Sequence, residues 1–174
     1  MKYTLVSGIH GVGKSTLLKR ITEVKSIRHY SISDLIRKGG QTILTNEKNT
    51  KNIDLNQGIW KNTLKKISQN FNEPIFLDGH FVLLDDKGNL VSLPEKTFED
   101  IQIKNIIVVT ASVAKIQERL QVRDSKEWDI DLLSRFQLQE MEKAKKFAEK
   151  NQIPIYIYES DNQYNDLLNF INDF

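Results

Sequence analysis

Short apolar runs that stop at a glycine or an aspartate alternate along the chain with longer stretches whose apolar residues recur at helical spacing. Tyr3-Thr4-Leu5-Val6 is such a run, ending at Gly8, and reads as a strand buried on both faces. From Lys14 to Val24, the residues Leu17, Leu18, Ile21 and Val24 fall on one helical face. Residues 27–32 predict a second strand. Ser31 or Ser33 then caps a helix that holds Asp34, Leu35, Ile36 and Arg37 and ends at Gly39-Gly40. The polar stretch from there to Asn52 predicts a mobile loop, and Asp54 or Asn56 starts a helix through Trp60, Leu64 and Ile67.

Pro74-Ile75-Phe76-Leu77-Asp78 is the next strand, apolar until its last residue. Phe81 to Leu93 reads as a hairpin turning at Asp86-Lys87-Gly88-Asn89. Asn105-Ile106-Ile107-Val108-Val109 has the wholly apolar core of a central strand. A helix from Ser112 to Val122 follows, then a long one from about Ile130 to Lys150 with Leu133, Phe136, Met141, Ala144 and Phe147 inward. Ile153 to Tyr158 is a last strand and Leu167 to Phe174 a closing helix. Strands alternating with helices predict an α/β fold, a parallel sheet covered on both faces. No repeat or linker divides residues 1–174, so a single domain is expected.

Composition narrows the function classes. A formal net charge of +2 over 174 residues gives no reason to expect nucleic-acid binding. With no cysteine, disulfides and thiolate metal sites are excluded, and the histidines form no cluster for a transition metal. No apolar stretch approaches the roughly 20 residues of a membrane helix, and the opening run does not read as a signal peptide. A cytoplasmic protein without a membrane partner is the expectation.

The most specific motif is Gly8-Ile9-His10-Gly11-Val12-Gly13-Lys14-Ser15, followed by Thr16, between a strand and a helix. This is the pattern of a P-loop. Phosphate oxygens need several donors within one concavity, and glycines let the backbone wind closely enough for consecutive N–H groups to point inward. The helix N-terminus adds partial positive charge, Lys14 bridges the terminal phosphates, and Ser15 ligates Mg²⁺. Gly8, His10, Gly11, Val12, Gly13, Lys14, Ser15 and Thr16 are therefore the candidates for holding ATP. Asp78 ends a strand beside this loop and is a second candidate for the Mg²⁺ shell, the competing reading being an ordinary loop aspartate. The row Lys61, Lys65, Lys66 beside Trp60 reads as a solvated helix face.

With these residues in view, the chain resembles the adenylate kinases, nearest their archaeal-type branch. Asp78-Gly79-His80 matches the family's Asp-x-His at the end of the second conserved strand, and Lys87-Gly88, Leu90 and Leu93-Pro94 match the archaeal-type continuation. The resemblance implies a P-loop NTPase three-layer α/β/α fold with a five-stranded parallel sheet of order 2-3-1-4-5. It also implies a monophosphate-binding region at about 31–70 and a short lid at about 123–131. The segment Ser31 to Arg37 is similar to one whose arginine grips the monophosphate, which makes Arg37 a substrate-side candidate, with Asp34 and His80 beside it. Glu118-Arg119-Leu120-Gln121-Val122-Arg123 resembles the lid entry, where two arginines contact ATP. Ser134-Arg135 resembles the lid return, where an arginine reaches the transferring phosphate. Lys14, Arg123 and Arg135 are thus the catalytic candidates and Arg119 an ATP contact. Arginine suits these roles because it stays charged and offers planar, bidentate donors.

The chain departs from many bacterial members in having His80-Phe81-Val82 where they carry an arginine, and in its short lid. Trp128 within the lid either stacks on a base or pins the lid to the body. The expected function is ATP- and Mg²⁺-dependent phosphoryl transfer to a nucleoside monophosphate, a small-molecule nucleotide partner. Two alternatives stay open: a kinase for another small acceptor, and an ATP-dependent switch or assembly factor with weak hydrolysis and a macromolecular or homo-oligomeric partner.

Overall fold

A computed structural model describes residues 2–39, 53–85, 87–159 and 163–172. Strand β1, Tyr3–Ser7, is buried at every position and sits at the centre of a five-stranded parallel sheet. Helix α1, Lys14–Val24, returns the chain to the edge strand β2, Arg28–Ser31. Helices α2, Ile32–Lys38, and α3, Ile53–Ser68, lead to β3, Ile75–Asp78, which inserts between β2 and β1. An antiparallel hairpin, β4 (Val82–Leu84) with β5 (Leu90–Ser92), and a 3₁₀ turn at Glu95–Phe98 precede β6, Ile103–Val109. Helices α4, Val113–Asp124, and α5, Ile130–Lys150, precede β7, Ile155–Tyr158, and α6, Tyr164–Asn172, closes the described chain.

Numbered along the chain, the sheet runs β2-β3-β1-β6-β7. The hairpin strands stand apart from it, so its own five strands follow the expected 2-3-1-4-5. This is the P-loop type of α/β fold. From β1 the chain goes to one side of the sheet, and after β3 it crosses to the other. The loop after β1 therefore lies where the two directions diverge, at the carboxyl edge where such folds bind ligands. Register lines that edge up: Val6 pairs with Asp78, Asp78 with Ser31, and Ser7 with Val108.

The core is the apolar filling expected for strands covered on both sides: Leu5, Ile75, Leu77, Ile106 and Ile107 are fully buried in the sheet. Leu17, Leu18 and Ile21 of α1 cover it as their spacing requires, but Val24, expected inward, is 59% exposed at the last position of that helix. Trp60, Phe81, Phe98 and Phe147 form an aromatic cluster with ring centroids 5.2–6.4 Å apart. It joins α3, the hairpin, the 3₁₀ turn and α5. Lys61 is more than a solvated lysine: its ammonium donates to the Glu99 carbonyl at 2.5 Å and to that of Lys96 at 3.2 Å. Met141 and Phe147 are half-buried rather than fully inward. The expected loop at 41–52, Asp86 of the hairpin turn and the final Phe174 lie outside the described residues. Among the described residues no helix is long and apolar enough to cross a membrane.

Candidate functional site

The loop that leaves β1 is built from backbone that other residues resist. Gly8 has φ 145°, and a Cβ there would lie 2.6 Å from the carbonyl oxygen of Val109. Gly11, at φ 79°, would place a Cβ 2.7 Å from Leu120 Cγ. The loop is thus pressed between the exit of β6 and the body of α4, a fit that only glycine allows. Gly13 caps α1 with φ 111°. A helix leaves its first N–H groups without acceptors of its own, and here they follow immediately on the glycines.

Lys14 opens α1 yet is 6% exposed. Its ammonium donates to the carbonyls of Gly8 at 2.6 Å and Ile9 at 3.4 Å, and lies 3.5 Å from Asp78 Oδ1. Ser15 and Thr16 stand exposed in the same first helical turn. Burial raises the Asp78 carboxyl above its ordinary range, the Lys14 charge opposes this, and the nearby Asp34 reinforces it. Asp34 belongs to α2, so the β2–β3 register has carried the head of that helix to Asp78. Arg37 is ion-paired with Asp34 on the exposed side of α2. The His10 and His80 rings, one in the loop and one after Asp78, lie 4.6 Å apart.

Arg119 lies across the loop, its guanidinium donating to the carbonyls of Val12 at 2.9 Å and Gly11 at 3.3 Å. Beside it, Lys115, Glu118 and Val122 complete an open cleft of about 440 Å³ on α4. Arg123 makes a bidentate contact with Asp124, at 2.5 and 2.7 Å. Arg135 donates to the Asp131 carbonyl at 3.4 Å in the first turns of α5. Arg123 and Arg135 thus flank the connection 125–129 without touching the loop in any bond described. Trp128 packs partly into the core, and its carbonyl accepts from Gln117 at 2.6 Å.

One residue of the site was not anticipated. Glu140, on α5, is 1% exposed. Its carboxylate accepts from the N–H of Gly8 at 3.2 Å, of Phe81 at 2.9 Å and of Val82 at 2.7 Å. Burial pushes its pKa up to about 7, against the Lys14 charge and these three donors, which favour the ionised form. Its position in the sequence held a signal: four residues after Phe136 and four before Ala144, Glu140 stands on the apolar stripe of α5.

A phosphate chain and its divalent cation fit this arrangement. The glycine cradle has no room for a Cβ, the ammonium of Lys14 stands at its mouth, and Ser15 and Asp78 offer oxygen ligands. A protein-family profile described as an AAA domain matches residues 7–137. The chain belongs to the AAA domain family. This AAA domain is a P-loop, nucleotide-binding module of the hydrolysing or phosphoryl-transferring kind. Its fold is similar to that of TT1252 from Thermus thermophilus, at 8% identity and TM-score 0.57, over 99% of this chain and 96% of that one. It is also similar to an uncharacterized protein from Eubacterium ventriosum, at 12% identity and TM-score 0.56, with both chains covered fully. No curated protein matches it.

Proposed function

We propose that this AAA domain transfers the terminal phosphoryl group of ATP to a nucleoside monophosphate, in the manner of an adenylate kinase. The observation that carries this reading is the strand register: Val6, Asp78 and Ser31 are paired in neighbouring strands. The P-loop, the acidic strand end and the helix of Asp34 and Arg37 therefore leave the same edge side by side. A donor grip and an acceptor grip are adjacent, as in-line transfer requires.

In this reading the ATP phosphates lie along Gly8 to Thr16, with Val12 and His10 part of the wall and Lys14 at the terminal pair. Ser15 and Asp78 hold Mg²⁺, which supplies neutralising charge when bound. Arg37 takes the acceptor phosphate, with Asp34 orienting the guanidinium and His80 close to the same corner. An acceptor phosphate oxygen bonds to the terminal phosphorus as the bond to the β–γ bridging oxygen breaks, and ADP leaves. Arg119 holds the loop in shape from outside. Arg123 and Arg135 stand on either side of a short connection whose closure brings positive charge to the moving group and keeps water out.

The acceptor grip is tested by steady-state kinetics of Arg37→Ala. The KM for the monophosphate is expected to rise on the order of a hundredfold, the loss of a charge-assisted contact, with the KM for ATP nearly unchanged. Equal effects on both substrates, or none, would remove Arg37 from the acceptor side. ATP turnover insensitive to every monophosphate would favour the hydrolysing switch instead.

A further inference from the structure

Glu140 is a buried acid that the phosphate-binding chemistry above does not use. It lies on α5, three residues after Gln137, so both side chains project from one helix face. Gln137 makes a paired contact with Ala111, the residue two beyond β6: its Oε1 accepts from the Ala111 N–H at 3.0 Å and its Nε2 donates to the Ala111 carbonyl at 2.9 Å. Glu140 accepts from Gly8, just past β1, and from Phe81 and Val82, just past β3. The strands β3, β1 and β6 are neighbours at the centre of the sheet. One face of a single helix therefore fastens the exits of three adjacent strands through side-chain bonds to their backbone.

We propose that Glu140, seconded by Gln137, is the positioning residue of the site, setting the P-loop and the Asp78–His80 corner in one geometry. The inference rests on the phosphoryl-transfer reading for its kinetic consequences, and on nucleotide binding alone for its geometric ones. A carboxylate is what the place demands. Three N–H donors converge there, and a buried donor without an acceptor is costly. The ionised carboxylate, with two oxygens and no proton of its own, accepts from all three at once. The bond to Gly8 fixes the residue at which the loop begins, and the Gly8 carbonyl in turn receives the Lys14 ammonium. The bonds to Phe81 and Val82 hold the backbone a few residues past Asp78, the acid 3.5 Å from that ammonium. Glu140 thus acts on the site through Lys14 and Asp78 without touching substrate. Because α5 begins at the 125–129 connection, the helix that carries Arg135 also carries the clamp, and a shift of one is felt by the other.

The test is Glu140→Gln, which keeps the volume but turns one accepting oxygen into an NH₂ facing N–H donors. Mg·ATP affinity is measured by calorimetry and transfer by steady-state kinetics. A misplacement of the reacting groups by about an ångström costs roughly a hundredfold, so kcat is expected to fall about tenfold to a hundredfold. The acceptor KM should rise less than kcat falls, since Arg37 is outside the clamp and only His80 on the acceptor side is within it. Mg·ATP affinity should weaken about tenfold. A folded variant with wild-type affinity and kcat overturns the proposal. If wild-type protein binds ATP but transfers to no monophosphate, the phosphoryl-transfer reading fails, while the affinity of the variant still decides the role of Glu140. Should the variant not fold, wild-type hydrogen exchange carries the test. The amides of Gly8, Phe81 and Val82 are expected to exchange slowly and as one group, and fast, independent exchange overturns the clamp.

Discussion

At the scale of single residues, the phosphate site is a set of unfavourable choices made tolerable by their neighbours. Lys14 is a lysine buried beside a half-buried aspartate, and each makes the other's charge affordable. Lys14→Ala is expected to weaken ATP binding on the order of a hundredfold by calorimetry. Gly8→Ala forces a Cβ toward the Val109 carbonyl in a left-handed backbone, and urea unfolding should show a loss of about 1–3 kcal/mol. Glu140 sets a pH dependence whose sign is fixed. Its carboxyl titrates near 4.5 when unfolded and about 7 when folded, so between these values the folded chain holds the extra proton. Stability from this group is then full below about 4.5 and falls as pH rises through about 7. Asp78, also raised by burial, acts in the same direction. ATP affinity should move the opposite way across neutrality, because the ionised carboxylate is the better acceptor for the three N–H groups. Denaturation midpoints and binding constants measured over pH 5 to 8 check both slopes.

At the scale of elements, the apolar pattern was enough to find the central strands and the long helices because each buries a continuous face, whereas the edge strand β2 has no fully buried residue. β6 is apolar from Ile106 to Val109 since it lies inside the sheet, and its sequence shows this directly. The P-loop was legible for a different reason: its backbone conformation admits glycine almost alone, so chemistry and spelling coincide. Val24 misled because helical spacing says which face a residue is on but not how well the last position of the helix is covered. Glu140 was missed because its partners are backbone groups 132 and 59 residues away, which leave no mark in side-chain identity. The sequence leaves Trp128 open to two roles, and its partial packing into the core is the reason to propose the pinning one. Trp128→Phe, which keeps an aromatic ring in that packing, is accordingly expected to leave the KM for ATP within about twofold, and Trp128→Ala to lower stability by roughly 1–3 kcal/mol, below the full cost of a core cavity. A large rise in the KM for ATP in Trp128→Phe would return Trp128 to the nucleotide.

At the scale of the whole molecule, function follows from where the sheet ends. Five parallel strands deliver a glycine loop, an acid and a helix with an Asp–Arg pair to one edge, and α5 ties the central three strand exits together. The family profile reaches from the last residue of β1 into α5. On the proposed reading, the Asp34–Arg37 pair beside the P-loop is the acceptor grip, and it calls for a phosphate-bearing acceptor. The most direct test of that claim is to incubate the protein with Mg·ATP and each of a panel of nucleoside monophosphates, resolving every nucleotide by chromatography, beside a Lys14→Ala control. The account predicts that, only with wild-type protein, one member of the panel is converted to its diphosphate, one for each ATP turned to ADP, which for AMP means two ADP per ATP consumed. Tight ATP binding with no new diphosphate from any member of the panel would contradict it.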